Sequence, residues 1–240
     1  RPATRTPYMK FLALGDTDGI GASCHFLDLN GSGIALDAGT DPQRDGPDSL
    51  PRFDWVGDRA DSYVDHTLVT HAHHDHRGSL PVLVRRFPHA MAHMTDATKK
   101  LLDILLPASA RLQEKRRDRG ETTHEPLFTE DELEALHHLY LTHDLGQGFD
   151  LTGPKGQSSV TGRFFSAGHI LGSAGVELQF EEWGRDRRVF YTSDTNMQAQ
   201  TIIPGGEYPD STDVLILEST QGAEPTRLLS ISYAVFCLKK

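Results

Sequence analysis

Cysteine is scarce in this chain. Two cysteines in 240 residues, Cys24 and Cys237, exclude a disulfide framework and fit a reducing, cytoplasmic setting. Long apolar runs are missing as well. No stretch of about 18 apolar residues occurs, so neither a transmembrane helix nor membrane association is expected, and the N-terminus lacks the apolar segment of a signal peptide. Positive charge is in deficit: 24 Lys and Arg against 34 Asp and Glu leave a net charge of −10. That balance excludes a general nucleic-acid coat and leaves any such contact to a local basic patch. There is no internal repeat, no low-complexity tract and no glycine-rich nucleotide loop placed after a strand. What remains is an ordinary globular composition, long enough for one large domain or two small ones.

Against these absences stands one dense segment, His71-Ala72-His73-His74-Asp75-His76. It follows the apolar run 67–70, which reads as a buried strand, and precedes Arg77-Gly78-Ser79-Leu80, which reads as a helix start. In an extended segment His71, His73 and Asp75 point to one side, because successive side chains alternate. His76 follows at the turn into the helix. Buried together, these polar groups are costly without an ion, so the segment reads as a metal site on a rigid support. His74 falls outside the pattern and is expected in solvent or behind the ligands.

The surrounding pattern is strands, then helices, then strands. Residues 23–29 and 33–37 form a hairpin pattern across Asn30-Gly31. Residues 40–60 read as a surface loop. Residues 79–87 read as a helix with Pro81 in its first turn. A leucine-spaced helix over 98–117 should kink at Pro107. A second helix is announced by the capping-box sequence Thr129-Glu130-Asp131-Glu132. Strands return after Gly153, over 159–165, 176–180, 188–192 and 213–217. Two packed sheets with helices outside are the expected architecture. The basic run Arg111, Lys115, Arg116, Arg117 and Arg119 reads as a solvated helix end, and His137, His138 and His143 as surface histidines.

Two more segments have the look of ligand loops: the small-residue loop Ala167-Gly168-His169-Ile170-Leu171-Gly172-Ser173 and the strand end Tyr191-Thr192-Ser193-Asp194. Taken with the histidine motif, and with Leu36-Asp37-Ala38-Gly39, Met94-Thr95-Asp96-Ala97-Thr98 and Leu217-Glu218-Ser219-Thr220, they resemble the metallo-β-lactamase superfamily. Within it the pattern is similar to the β-CASP ribonucleases, in the branch of the cleavage and polyadenylation specificity factor endonuclease; RNase J looks more distant. The resemblance covers about residues 9–222. It implies a four-layer αββα sandwich of metallo-β-lactamase type, incomplete at the C-terminus, as residues 1–222, followed by an atypical tail over 223–240. Two departures stand out: Gln221 sits where the group has tyrosine, and the β-CASP domain with its further histidines is absent, as in a truncated member.

The resemblance also implies a ligand set. His71, His73 and His169 would hold one ion, Asp75 and His76 a second, and Asp194 would bridge them. Two Zn²⁺ suit these donors, with Mn²⁺ an option at the second site. Asp37 would accept an imidazole N–H. Asp75 and Glu218 are the expected catalytic side chains, Asp75 orienting the nucleophile and Glu218 positioning a histidine or water. Two divalent ions outweigh Asp75 and Asp194, and the resulting positive site favours a phosphodiester. The implied function is metal-dependent hydrolysis of RNA, weak or absent in this form. The alternatives are a non-catalytic RNA- or partner-binding remnant, or a small-molecule hydrolase of a thioester or lactam. Beyond RNA, a homodimer or a protein partner is left open.

Overall fold

A computed structural model describes residues 9–15, 21–57, 63–218 and 233–237. Twelve strands form two six-stranded sheets among these residues. The first holds β1 (Met9–Ala13), β2 (His25–Leu29), β3 (Ser32–Leu36), β4 (His66–Leu68), β5 (Met91–Met94) and β6 (Tyr140–Thr142), in that order. The second runs from β7 (Gly148–Asp150) through β8 (Val160–Ser166), β9 (Ala174–Glu182), β10 (Arg185–Tyr191) and β11 (Val214–Glu218) to β12 (Tyr233–Cys237). Four helices lie between β4 and β6 in the chain: α1 (His74–Arg77), α2 (Leu80–Arg86), α3 (Asp96–Asp118) and α4 (Glu130–Leu136).

Alternation within the strands explains the layering. Phe26, Ala35 and Ala92 face the helices and join Leu80, Leu83, Leu102, Leu106 and Leu133 in one apolar core. Leu27, Leu29, Ile34, Leu36 and Leu68 face the second sheet and meet Phe164, Val176, Leu178, Val189 and Tyr191 in another. The first sheet is therefore apolar on both faces, as a covered, partly parallel sheet must be. Helices α2, α3 and α4 pack on its outer side, so the described residues supply three of the four expected layers.

Local chemistry sets the elements. Asn30 and Gly31 both have positive φ (55° and 90°), the two-residue turn that suits hairpin twist, and Leu29 pairs Ser32 across it. Thr95 Oγ1 accepts the Thr98 N–H to cap α3, which runs unbroken through Pro107. Thr129 and Glu132 complete the capping box of α4. Three strands lie where helices or loops are expected from sequence. β5, β6 and β7 are three or four residues long, too short for a period-2 signal, and β5 carries the buried His93. Strand β12 pairs antiparallel with β11 and so brings part of the 223–240 segment into the second sheet. Ser219, Thr220, Gln221 and the rest of that segment lie outside the described residues.

Two buried histidines give the fold an acid limit. Burial pushes both His25 and His93 down to about 3. Between pH 6.5 and 3 the unfolded chain binds protons at these rings that the folded chain refuses, so stability falls as pH falls, by about 1.4 kcal/mol per pH unit per ring. His93→Phe is expected to remove about half of this pair's contribution between pH 6 and 4. Urea midpoints of the two proteins at a series of pH values measure it, and parallel slopes would contradict the assignment to His93.

Candidate metal centre

Strand polarity gathers the site at one end of the sandwich. β3, β4 and β5 are mutually parallel, so the segments after β3 and β4 emerge side by side. β10 and β11 are also parallel, which places Asp194 and Glu218 together. The segment after β3 is zipped to the histidine segment by backbone hydrogen bonds from Ala38 N to His76 O and from Ser79 N to Ala38 O. Gly39 is required there, since a Cβ would sit 1.6 Å from the Asp75 carbonyl oxygen. Gly168 has φ +70°, and a Cβ would lie 2.2 Å from the Asn196 carbonyl oxygen, which fixes the loop that presents His169.

His71, His73, His169 and Asp194 converge. His73 Nδ1 lies 3.1 Å from both His71 Nε2 and His169 Nε2. Asp194 Oδ2 lies 3.2 Å from His169 Nε2 and 3.7 Å from His71 Nε2. Ligands about 2.0–2.1 Å from a tetrahedral zinc stand roughly 3.3 Å apart, so this spacing suits one ion. A second group joins His76, Asp194 and Glu218. Here Asp194 Oδ1 and Glu218 Oε1 each lie 3.7 Å from His76 Nε2. The two oxygens of Asp194 thus face the two groups. Asp194 is buried, and its Oδ1 has no hydrogen-bond partner among the described residues, a costly arrangement that a cation relieves. The donor set, three imidazoles with one carboxylate beside one imidazole with two, fits divalent metal.

Asp75 departs from the extended-strand reading. It sits in the first turn of α1, where alternation no longer applies, and its carboxylate is 3.9 Å from His76 Nε2 but belongs to neither group. Glu218, expected only to position other groups, stands in the second one. His74 is exposed and outside both, as its place in the motif suggests. Four of the five cations of the basic run form ion pairs: Arg111 with Glu130, Arg116 with Asp45, Arg117 with Glu125 and Arg119 with Glu121.

Asp37 lies behind the site. It is fully buried and left-handed at φ +60°. Its carboxylate accepts from Thr70 N at 2.8 Å, from Thr70 Oγ1 and from the Tyr191 hydroxyl at 3.1 Å, and it meets His76 Nδ1 at 2.9 Å. This fixes the His76 proton on Nδ1 and turns Nε2 toward the site. The single proton of the Tyr191 hydroxyl is shared between Asp37 Oδ2 and Glu218 Oε2, which lie on either side of it. Sequence reading misses Tyr191, because an aromatic in an apolar strand signals core and nothing marks its hydroxyl.

The electrostatics prepare the groups. Burial, with the neighbouring histidines, holds His71 well below its usual range, so it is neutral and free to ligate. Burial opposes the charge on His76 too, but Glu218, Asp37 and Asp194 outweigh it and raise this ring well above its usual range. Burial and the nearby carboxylates push Glu218 up to about 7 against the pull of His76. Asp194 is held below its usual range in spite of burial, by its bond to His169 and the surrounding imidazoles.

With this geometry the comparisons with known proteins become informative. No family model matches the chain. Endoribonuclease YSH1 of Saccharomyces cerevisiae is 32% identical over 223 residues, 91% of this chain and 27% of that protein. Cleavage and polyadenylation specificity factor 73 of Drosophila melanogaster is 29% identical over 223 residues, 92% of this chain and 30% of that protein. The chain is homologous to these proteins over about nine-tenths of its own length. It spans between a quarter and a third of the length of each. Among solved structures, a B3 metallo-β-lactamase with an active-site glutamic acid gives a TM-score of 0.49 at 18% identity, covering 88% of this chain and 79% of its own. The B3 metallo-β-lactamase MEM-A1 gives 0.45 at 22%, covering 82% and 67%.

Replacing Asp37 tests the support. Asp37→Asn keeps the shape but takes the anion from His76, and metal affinity is expected to fall about 10–100-fold, the usual cost of losing a carboxylate behind a ligand histidine. Chelator competition on the folded protein measures it, and unchanged affinity would contradict this role.

Proposed function

We propose that this end of the sandwich is the hydrolytic centre of a metal-dependent ribonuclease. The observation that carries the reading is the Asp194 carboxylate, whose two oxygens face two separate donor groups. His71, His73, His169 and Asp194 would hold one ion. His76, Asp194 and Glu218 would hold the other, with Asp75 at its edge. Zinc suits the imidazole-rich group, and manganese is admissible at the oxygen-richer one. When bound, such ions make water nucleophilic near neutral pH and offset charge on a phosphoryl group.

The side chains do the rest. Burial keeps His71 neutral, and its Nδ1 meets Thr70 Oγ1 while Nε2 faces the site. Asp37 holds the Nδ1 proton of His76. The Tyr191 hydroxyl ties down Glu218 Oε2 and leaves Oε1 turned to the site, where it would serve as the ligand. Asp75 is the least buried of these carboxylates and lies where an incoming phosphodiester and its water are oriented. The ion-paired basic run offers no ready phosphate track, so substrate affinity is assigned to the centre itself. The RNA-cleaving activity named for the much longer relatives supports the substrate class.

The test is a labelled single-stranded RNA incubated with the zinc- or manganese-loaded chain. Slow cleavage is expected, abolished by chelator and reduced at least ~100-fold in Asp194→Asn and His169→Ala, consistent with loss of ligands that act as a unit. Cleavage that survives both substitutions, or hydrolysis of a thioester or lactam in place of RNA, would refute the reading.

A further inference from the structure

A second histidine trio lies away from the metal centre, in the layer between the sheets. His66 opens β4, His93 sits on β5 and His143 follows β6. His66 Nδ1 is 3.0 Å from His93 Nε2, and His93 Nδ1 is 2.9 Å from His143 Nε2. His93 is buried. Phe149 stacks on His93 at 5.4 Å and on His143 at 3.9 Å, with interplanar angles of 11° and 14°. His143, expected from sequence at the surface, is half-buried.

The contrast with the metal centre is instructive. There, one nitrogen of His73 meets two other rings, so donors converge on a point. Here His93 uses its two opposite nitrogens, so the rings form a line and no single ion reaches all three. Burial disfavours the charged form of every ring, pushing His93 to about 3 and lowering His66 and His143. Three neutral imidazoles in line each carry one N–H, so the hydrogen bonds must all run the same way.

The line has two ends. His66 borders a cavity of about 480 Å³ with Asp28, Asp65, His89 and Lys155. His143 borders one of about 340 Å³ beside the His169 loop, with Asp96, Asp144, Ile170 and Gly172. Asp65, the Thr152 backbone and Asp150 each favour the charged form of His66 against its burial. Among the described residues the charged or ring partners of His93 are His66, His143 and Phe149, and His143 also meets Phe149 and Phe164.

We propose that His66, His93 and His143 form a proton relay through the inter-sheet layer, joining the Asp65 cavity to the cavity beside the His169 loop. In one of the two directions each ring is protonated on Nε2. His93 Nε2–H then donates to His66 Nδ1, and His143 Nε2–H to His93 Nδ1. The bare His143 Nδ1 accepts a proton from its cavity. His143 Nε2–H then passes to His93 Nδ1, His93 Nε2–H to His66 Nδ1, and His66 Nε2–H leaves at the far cavity. One proton enters, one leaves, and each ring ends neutral with its proton on Nδ1.

The test is ¹⁵N NMR of the chain labelled at histidine, with rings assigned by single His→Gln variants. All three rings are expected on the same nitrogen at pH 7.5, with equal tautomer fractions at every pH from 5.5 to 8. His66→Gln is expected to change the Nε2–H to Nδ1–H ratio of His143 at least twofold, although His93 separates the two. Unequal fractions in the wild-type chain overturn the relay without need of any variant. So does a His143 ratio unmoved by His66→Gln, or binding of Zn²⁺ that shifts all three rings together.

Discussion

The Asp37 carboxylate is the constraint on which the functional end of this protein depends. It is fully buried, and it accepts from the ends of three different elements: Thr70 after β4, His76 on α1 and Tyr191 on β10. A buried carboxylate is costly unless its lone pairs are used, and here they are used by the groups that must be aligned. Both sheets are thereby registered at one point. The left-handed backbone at Asp37 and at Ser193 is a local strain tolerated in exchange for that alignment.

From this anchor the rest follows by polarity. Parallel β3, β4 and β5 bring the Asp37 segment and the histidine segment to one edge, and parallel β10 and β11 bring Asp194 and Glu218 to meet them. The backbone N–H of Glu218 donates to Thr192 Oγ1, so the last two of these segments are fixed to each other as well. The site is thus built on strand ends tied by hydrogen bonds, the kind of support that holds ligands within a fraction of an ångström. Its charge arrangement is unfavourable without a cation: three carboxylates, Asp37, Asp194 and Glu218, surround His76 at close range.

Much of this was legible in the sequence, and the reason is spacing. Four ligand-type residues in six, directly after an apolar run, are hard to bury in any fold except around a cation. His169 and Asp194 became readable once glycines and strand ends were placed around them. The two-sheet architecture followed from strands at both ends of the chain and helices between. What stayed hidden was set by tertiary contact. Tyr191 reads as core until its hydroxyl is seen between Asp37 and Glu218. Alternation would put Asp75 on the side of His73, but the chain turns helical at His74 and redirects it. β5 to β7 leave no mark because a strand of three or four residues shows no period, and the stacking of His93 and His143 on Phe149 of the opposite sheet is hidden with them.

The central claim is that one carboxylate, Asp194, joins two cation sites. Anomalous diffraction at the zinc edge, from crystals of the chain grown with zinc, tests it most directly. The account predicts two peaks about 3.5–4 Å apart, one on each side of the Asp194 carboxylate, with His169 on one and Glu218 on the other. A single peak, or two peaks with Asp194 bound to only one of them, would contradict it.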